Sequence, residues 1–154
     1  MLMKIIGDLH IHSRFSMATS KEGTPENLDF WARKKGISLI GTGDFTHPVW
    51  REELRERLAS EGNGLYRLKD EYVKEESRKF SGEGAHFVVS GEISSIYKKN
   101  GKTRKVHNVI LLPGLEAADA MAQRLEKIGN IHSDGRPILG LDSHDLLEMM
   151  LDVC

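Results

Sequence analysis

The chain has 154 residues, and its 22 Lys and Arg nearly balance 23 Asp and Glu, so any surface that attracts nucleic acid has to be local rather than global. Its length suits one domain with its own core, and 39% hydrophobic and 29% charged residues are those of a soluble globular protein. The single cysteine, Cys154, excludes a disulfide framework and a cysteine-built zinc site within one chain. No apolar run approaches the ~18 residues of a membrane span, and Met1–Ile6 is too short for a signal peptide, so a cytoplasmic protein with no membrane partner is expected.

In chain order, Lys4–Leu9 reads as a short strand, followed by a loop to Thr24. "TPENLDFWARKKG" carries helix signals: Thr24 as N-cap, Pro25 at the first position and Gly36 as the stop, with Leu28, Trp31 and Ala32 facing inward. "ISLIGTGDF" is a buried strand, and strand–helix–strand over about forty residues predicts a parallel pair. "PVWREELRERLAS" is an amphipathic helix, "GNGLYRL" a loop and short strand, and "KDEYVKEESRKF" a charged surface helix. "AHFVVSGEISSIYKK" and "KVHNVILLP" are strands around Asn100–Gly101, a strong hairpin signal. "GLEAADAMAQRLEKIG" is a helix with Leu115, Ala118, Met121, Ala122 and Leu125 inward. A last helix begins near Asp142 or Ser143, with Leu146, Leu147, Met150 and Leu151 on one stripe. It lacks a stop signal, which fits either a docked terminal helix or a truncated chain. The alternation predicts an α/β fold with mostly parallel strands and one β-hairpin, either an open sheet or part of a (β/α) barrel.

Polar residues gather just after the predicted strands. Asp8, His10 and His12 follow the first, Asp44 and His47 the second, and Glu92 the strand "FVVSG"; His107 lies inside "KVHNVILLP". In parallel α/β folds the carboxyl ends of strands carry the chemistry, so these residues can converge. His10 and His12 stand two apart, as one strand face requires, and Asp8 shares their parity and is placed to orient an imidazole. Imidazole and carboxylate together suit zinc, manganese or iron. His132 reads as a solvated loop residue, His144 as a cap or surface residue, and His86 as exposed.

"DLHIHSRFS", "GTGDFTH", "SGEIS" and "KVHNVILLP" resemble the polymerase-and-histidinol-phosphatase (PHP) superfamily, and longer strings such as "SGEISSIYKKNGKTRKVHNVILLP" and "SDGRPILGLDSHDLLE" resemble its endonuclease Q branch. The resemblance implies a (β/α)7-type barrel holding up to three divalent ions (Zn, Mn or Mg, with Fe as a further candidate). Carried over, His10 and His12 would bind one metal, Glu92 would bridge, and His107 would bind another. Asp44, or alternatively His47, would serve near the second metal, and Asp44 and Glu92 are the catalytic carboxylates it implies. The family's later histidine and late Asp-x-His motif have no counterpart here. The resemblance therefore implies one PHP domain over 1–154, truncated at its C-terminal end, with an incomplete ligand set and incomplete metal occupancy.

The activity so implied is metal-assisted phosphodiester hydrolysis in DNA repair, nicking DNA on the 5′ side of deaminated or missing bases. Two alternatives stay open: a PHP-type small-molecule phosphatase, and a non-catalytic metal-binding fragment. "KKNGKTRK" puts five cations in eight residues (Lys98, Lys99, Lys102, Arg104 and Lys105) at a hairpin tip, suited to DNA phosphates or simply to solvation of an edge. Arg14 beside the HxH pair is a further phosphate candidate. Trp50 and Phe15 offer base stacking or core packing, and Trp31 core packing.

Overall fold

The computed structural model describes residues 4–154; Met1–Met3, the start of the N-terminal stretch discussed above, lie outside them. Its strands are β1 (Gly7–Asp8), β2 (Leu39–Gly41), β3 (Leu58–Ser60), β4 (Leu65–Leu68), β5 (His86–Lys99), β6 (Lys102–Leu112) and β7 (Ile138–Leu139). The helices are α1 (Pro25–Lys35), α2 (Pro48–Arg57), α3 (Leu115–Glu126) and α4 (Ser143–Leu151). The seven-stranded sheet runs β1-β2-β5-β4-β3, with β6 and β7 also paired to β5.

The spine of the molecule is β5, a 14-residue strand with two sets of neighbours. Its first residues pair in parallel with β2 and antiparallel with β4. From Val89 onward it forms a long antiparallel ribbon with β6, and Ser94–Ser95 pair in parallel with β7. The expected parallel β1–β2 pair is present. The expectation of mostly parallel strands is not: among the described residues three pairings are parallel and three antiparallel. Nor is there a single hairpin. Helix α2 runs directly into β3, which pairs antiparallel with β4 across the 61–64 loop. The cause is the local sequence. The helix expected through Ser60 ends at Arg57, where Leu58 turns extended (φ −101°, ψ 145°) and buries its side chain in the core.

Helix α1 is built as its sequence dictates. Thr24 accepts from the Asn27 amide, Pro25 opens the helix, and Gly36 closes it at φ 71°. Its buried face is Pro25, Asp29 and Ala32, an i, i+4, i+7 row. Asp29 holds a place there because it bridges Arg33 (2.7 Å) and the Ala85 amide (3.4 Å). Trp31 consequently lies off that face and is 48% exposed beneath Lys34, so it is not the core residue that the sequence predicts. Trp50 takes that role: it is fully buried and donates from Nε1 to the Gly43 carbonyl at 2.9 Å.

The β5–β6 turn is the predicted one, with Asn100 at φ 53° and Gly101 at φ 71°. The charged 70–80 stretch forms two 3₁₀ turns, Asp70–Tyr72 and Glu75–Lys79, instead of a helix. All five predicted inward residues of α3 are buried. Of the α4 stripe, Leu146 is buried, whereas Leu147 and Leu151 are exposed. Among the described residues no helix is long and apolar enough to cross a membrane.

Candidate metal centre

The segments after β1 and β2 meet the middle of β5. Glu92, 2% exposed, lies at the centre of three imidazoles. Its Oε2 is 2.6 Å from His10 Nε2 and 3.4 Å from His12 Nε2, and its Oε1 is 3.0 Å from His107 Nδ1. His107 reaches Glu92 diagonally across the ribbon. Glu92 faces Val109 and Ser94 faces His107, so the two residues share a face two positions apart. The ligand atoms of His10, His12 and Glu92 all lie within 4.8 Å of one another.

The arrangement fits a divalent cation. Despite the His107 distance, the geometry there makes no hydrogen bond, and Glu92 Oε1 is buried without a partner. An unsatisfied buried acceptor costs about 1–3 kcal/mol, more when charged, and a cation held between it and the imidazoles removes that cost. Mixed His and carboxylate donors suit Zn, Mn or Fe. His10 and His107 are about half exposed, so the group is open on their side. A second set, His144, Asp145 and Glu148, is wholly exposed on α4 and has no buried member.

Asp44 stands one step behind His12. Its Oδ1 is 3.2 Å from His12 Nδ1, and its Oδ2 accepts from the Ser13 amide (2.7 Å) and hydroxyl (2.6 Å). The part that strand parity suggests for Asp8, orienting an imidazole, therefore falls to Asp44, while Asp8 itself is exposed. The site demands an uncommon backbone. Asp44 is fully buried at φ 52°, and the preceding Gly43 sits at φ 66° where a Cβ would come within 2.5 Å of the Ile11 carbonyl oxygen.

His47 is the N-cap residue of α2, and its ring stacks on Phe15 at a centroid distance of 4.2 Å. Burial holds its pKa below the ordinary histidine value, against the opposing pull of Asp44. It is outside the His10–His12–Glu92 group. Phe15 packs between His47 and the buried Trp50.

Arg14 is already engaged. It donates to Glu53 Oε2 at 2.7 Å and lies over Phe15. Burial raises the Glu53 pKa, while Arg14 and Arg57 oppose that shift. At the hairpin, Lys99 is held by Asp142 at 2.8 Å. Facing pairs Ile96–Lys105 and Lys98–Thr103 put Lys105 and Lys98 on the Glu92–His107 face. Arg104 and Lys102, opposite Tyr97 and Lys99, belong to the other face.

Comparison with known proteins bears on this geometry. No protein-family model matches the chain. An uncharacterized protein of Methanocaldococcus jannaschii is 33% identical over 147 residues, covering 95% of this chain and 15% of that protein. The crystal structure of PfuEndoQ, a lesion-specific endonuclease from Pyrococcus furiosus, matches 97% of this chain with a TM-score of 0.76 and 29% identity. The chain is related to endonuclease Q. A second endonuclease Q structure, in complex with a 27-mer duplex carrying an abasic lesion at the active site, matches 96% of the chain with a TM-score of 0.73 and 29% identity. The chain spans 32% of the length of each solved endonuclease Q chain.

Three features around this candidate centre escape the sequence. Ser13 gives no signal of its own, yet it fastens Asp44. Glu53 reads as one more charge on an amphipathic helix, yet it is buried between Arg14 and Arg57. "SDGRP" reads as a solvated turn, yet the Gly135 amide donates to the Phe15 carbonyl at 3.0 Å. Each depends on contacts between distant parts of the chain.

Proposed function

We propose that this chain supplies part of the metal-dependent active site of an endonuclease Q-like DNA repair enzyme that nicks DNA 5′ of deaminated or missing bases. Residues 1–154 belong, in this reading, to one PHP-type domain and form part of its barrel. The observation that carries the proposal is the buried Glu92 carboxylate, with one oxygen unpartnered, among His10, His12 and His107 in a fold like that of a lesion-specific endonuclease.

His10, His12, Glu92 and His107 would hold divalent ions, up to three in a complete site. A bound ion of this kind lowers the pKa of a coordinated water and offsets charge on the phosphate under attack. Asp44 keeps His12 turned with Nε2 toward Glu92, and His47 is the alternative contributor beside it. The open side at His10 and His107 gives a phosphodiester its approach. Lys98 and Lys105 extend that face and meet neighbouring phosphates; Lys102 and Arg104, on the other face, and Lys99 and Arg14, tied to Asp142 and Glu53, contribute less.

The test uses end-labelled duplexes containing uracil, hypoxanthine or an abasic site, incubated with zinc or manganese and the complete enzyme to which the chain contributes. A nick on the 5′ side of the lesion, absent from undamaged duplex, is the expected result. Hydrolysis of a sugar phosphate without nicking would favour the small-molecule phosphatase. Fewer than one bound metal per chain by elemental analysis would favour a non-catalytic fragment.

A further inference from the structure

The 134–137 segment touches each of the three chain segments that build the candidate metal centre. The Gly135 amide donates to the Phe15 carbonyl at 3.0 Å, and Asp134 accepts from the Met17 amide at 3.3 Å, both just beyond His12. Thr46, two residues after Asp44, donates from its hydroxyl to the Gly135 carbonyl at 3.3 Å. The Pro137 carbonyl accepts from the Ser94 amide at 3.0 Å, two residues after Glu92. Asp134 also accepts from the Arg136 amide at 2.9 Å, which fixes the turn itself.

Within this strap, Gly135 lies against the Asp44 carboxyl. A Cβ at position 135 would stand 2.4 Å from Asp44 Cγ and Oδ2 and 2.7 Å from its Cβ. Gly135 is not among the positive-φ glycines, so the position requires space, not an unusual backbone. Asp44 is fully buried, with Oδ1 on His12 and Oδ2 on Ser13, and has no free direction in which to swing.

We propose that Gly135 is a positioning residue for the metal centre: by coming this close to Asp44 it seats the carboxylate on His12 and Ser13, and so fixes how His12 presents Nε2. This rests on the metal-site reading above. Any side chain at 135 displaces the carboxylate and turns the imidazole, while His10 and Glu92 stay untouched.

The experiment compares wild type, Gly135→Ala, Asp44→Gly and the double variant. It measures zinc affinity by calorimetry and metal-free melting by circular dichroism. Glycine suits position 44, whose φ is 52°, and removes every Asp44 atom that the new Cβ would meet except backbone. Gly135→Ala is expected to weaken zinc binding about 10–100-fold, as loss of an orienting partner does. Its metal-free melting point should fall by about 3–10 °C, from overpacking. In the Asp44→Gly background the same substitution should change zinc affinity by less than about twofold and leave the melting point unmoved, because the group it displaces is gone. If Gly135→Ala alone does not fold, a folded double variant supports the same conclusion, and an unfolded one overturns it. Unchanged zinc affinity in Gly135→Ala, or equal losses in both backgrounds, overturns this inference alone. A wild-type chain that takes up no zinc overturns the metal reading and, with it, the role given to Gly135.

Discussion

Replacing Asp44 by Asn removes one charge and almost no volume, so its consequences follow from hydrogen-bond polarity. Asp44 accepts on both sides: Oδ1 faces His12 Nδ1 at 3.2 Å, and Oδ2 faces the Ser13 amide at 2.7 Å and hydroxyl at 2.6 Å. An asparagine has one accepting atom and one donating atom, and each orientation fails differently. With its amide nitrogen toward Ser13, two N–H donors oppose each other in a site with no exposure, and the unmet pair costs about 1–3 kcal/mol. With the nitrogen toward His12, Nδ1 becomes an acceptor and the ring proton moves to Nε2. Nε2 is the atom 3.4 Å from Glu92, so the lone pair needed for a metal is lost.

The less costly choice is the second, since Ser13 supplies two donors and His12 one adjustable nitrogen. Asp44→Asn is therefore expected to lower zinc affinity about 10–100-fold, or ~1.4–2.7 kcal/mol at 1.36 kcal/mol per decade. Metal-free stability should fall by about 1 kcal/mol, from exchanging charge-assisted bonds to Ser13 for neutral ones. Calorimetric zinc titration gives the first quantity, urea denaturation with metal removed gives the second, and ¹⁵N chemical shifts of His12 report the tautomer. Zinc affinity equal to wild type together with an unmoved His12 tautomer would refute the role assigned to Asp44.

Other substitutions test other parts of the molecule. Because Lys98 and Lys105 share the His107 face, changing both to Ser should reduce the salt slope of DNA binding by about 1.8, while Lys102→Ser with Arg104→Ser should reduce it by less than about 1; equal losses would sink the two-face reading. Trp50→Ala should cost about 3–5 kcal/mol in urea denaturation, and Trp31→Ala about 0.5, with comparable values counting against the assignment of Trp50 to the core. His47 has a lowered pKa in the fold, so between that value and its ordinary 6.5 the unfolded chain binds more protons. Stability therefore falls as pH drops through that window. His47→Phe, which keeps the stack on Phe15, should flatten melting temperature against pH there; an unaltered profile would contradict it.

Much of the fold can be read from local sequence because its causes are local. Thr24, Pro25 and Gly36 bound α1, Asn100–Gly101 turns β5 into β6, and the five apolar positions of α3 all face the core. Strand direction was less legible. Pairing in β5 changes partner along a single run of residues, and neither "FVVSGEISSIY" nor its alternation marks where β2 and β4 give way to β6 and β7. Trp31 lies outside the core, against its sequence reading, for a related reason. An amphipathic stripe tolerates a shift of one residue, and the shift in α1 was decided by Asp29 reaching Ala85, a partner 56 positions away.

The candidate site divides along the same line. Its donors announce themselves by chemistry; His10 and His12 also by their place after β1, whereas Glu92 and His107 lie in the middle of β5 and β6 and not beyond a strand end. What aims them does not. The residues that position Asp44 are a serine next to the HxH pair and a glycine far along the chain, Gly135, and neither residue type carries a signal in a single sequence. Glu92 shows why the aiming matters. It sits three residues into the ribbon with β6, inside a run of β5 that is buried from Val89 to Ser95, whereas the stretch of β6 that bears His107 is exposed. A carboxylate in that buried run is kept from water, yet reached by imidazoles from two other segments. A Glu two residues farther along would share the face but be opposite His107 instead of diagonal to it, and farther from the segment that bears His10 and His12. Register within the buried run therefore selects position 92, and the strap through Gly135 holds the other half of the site in register with it.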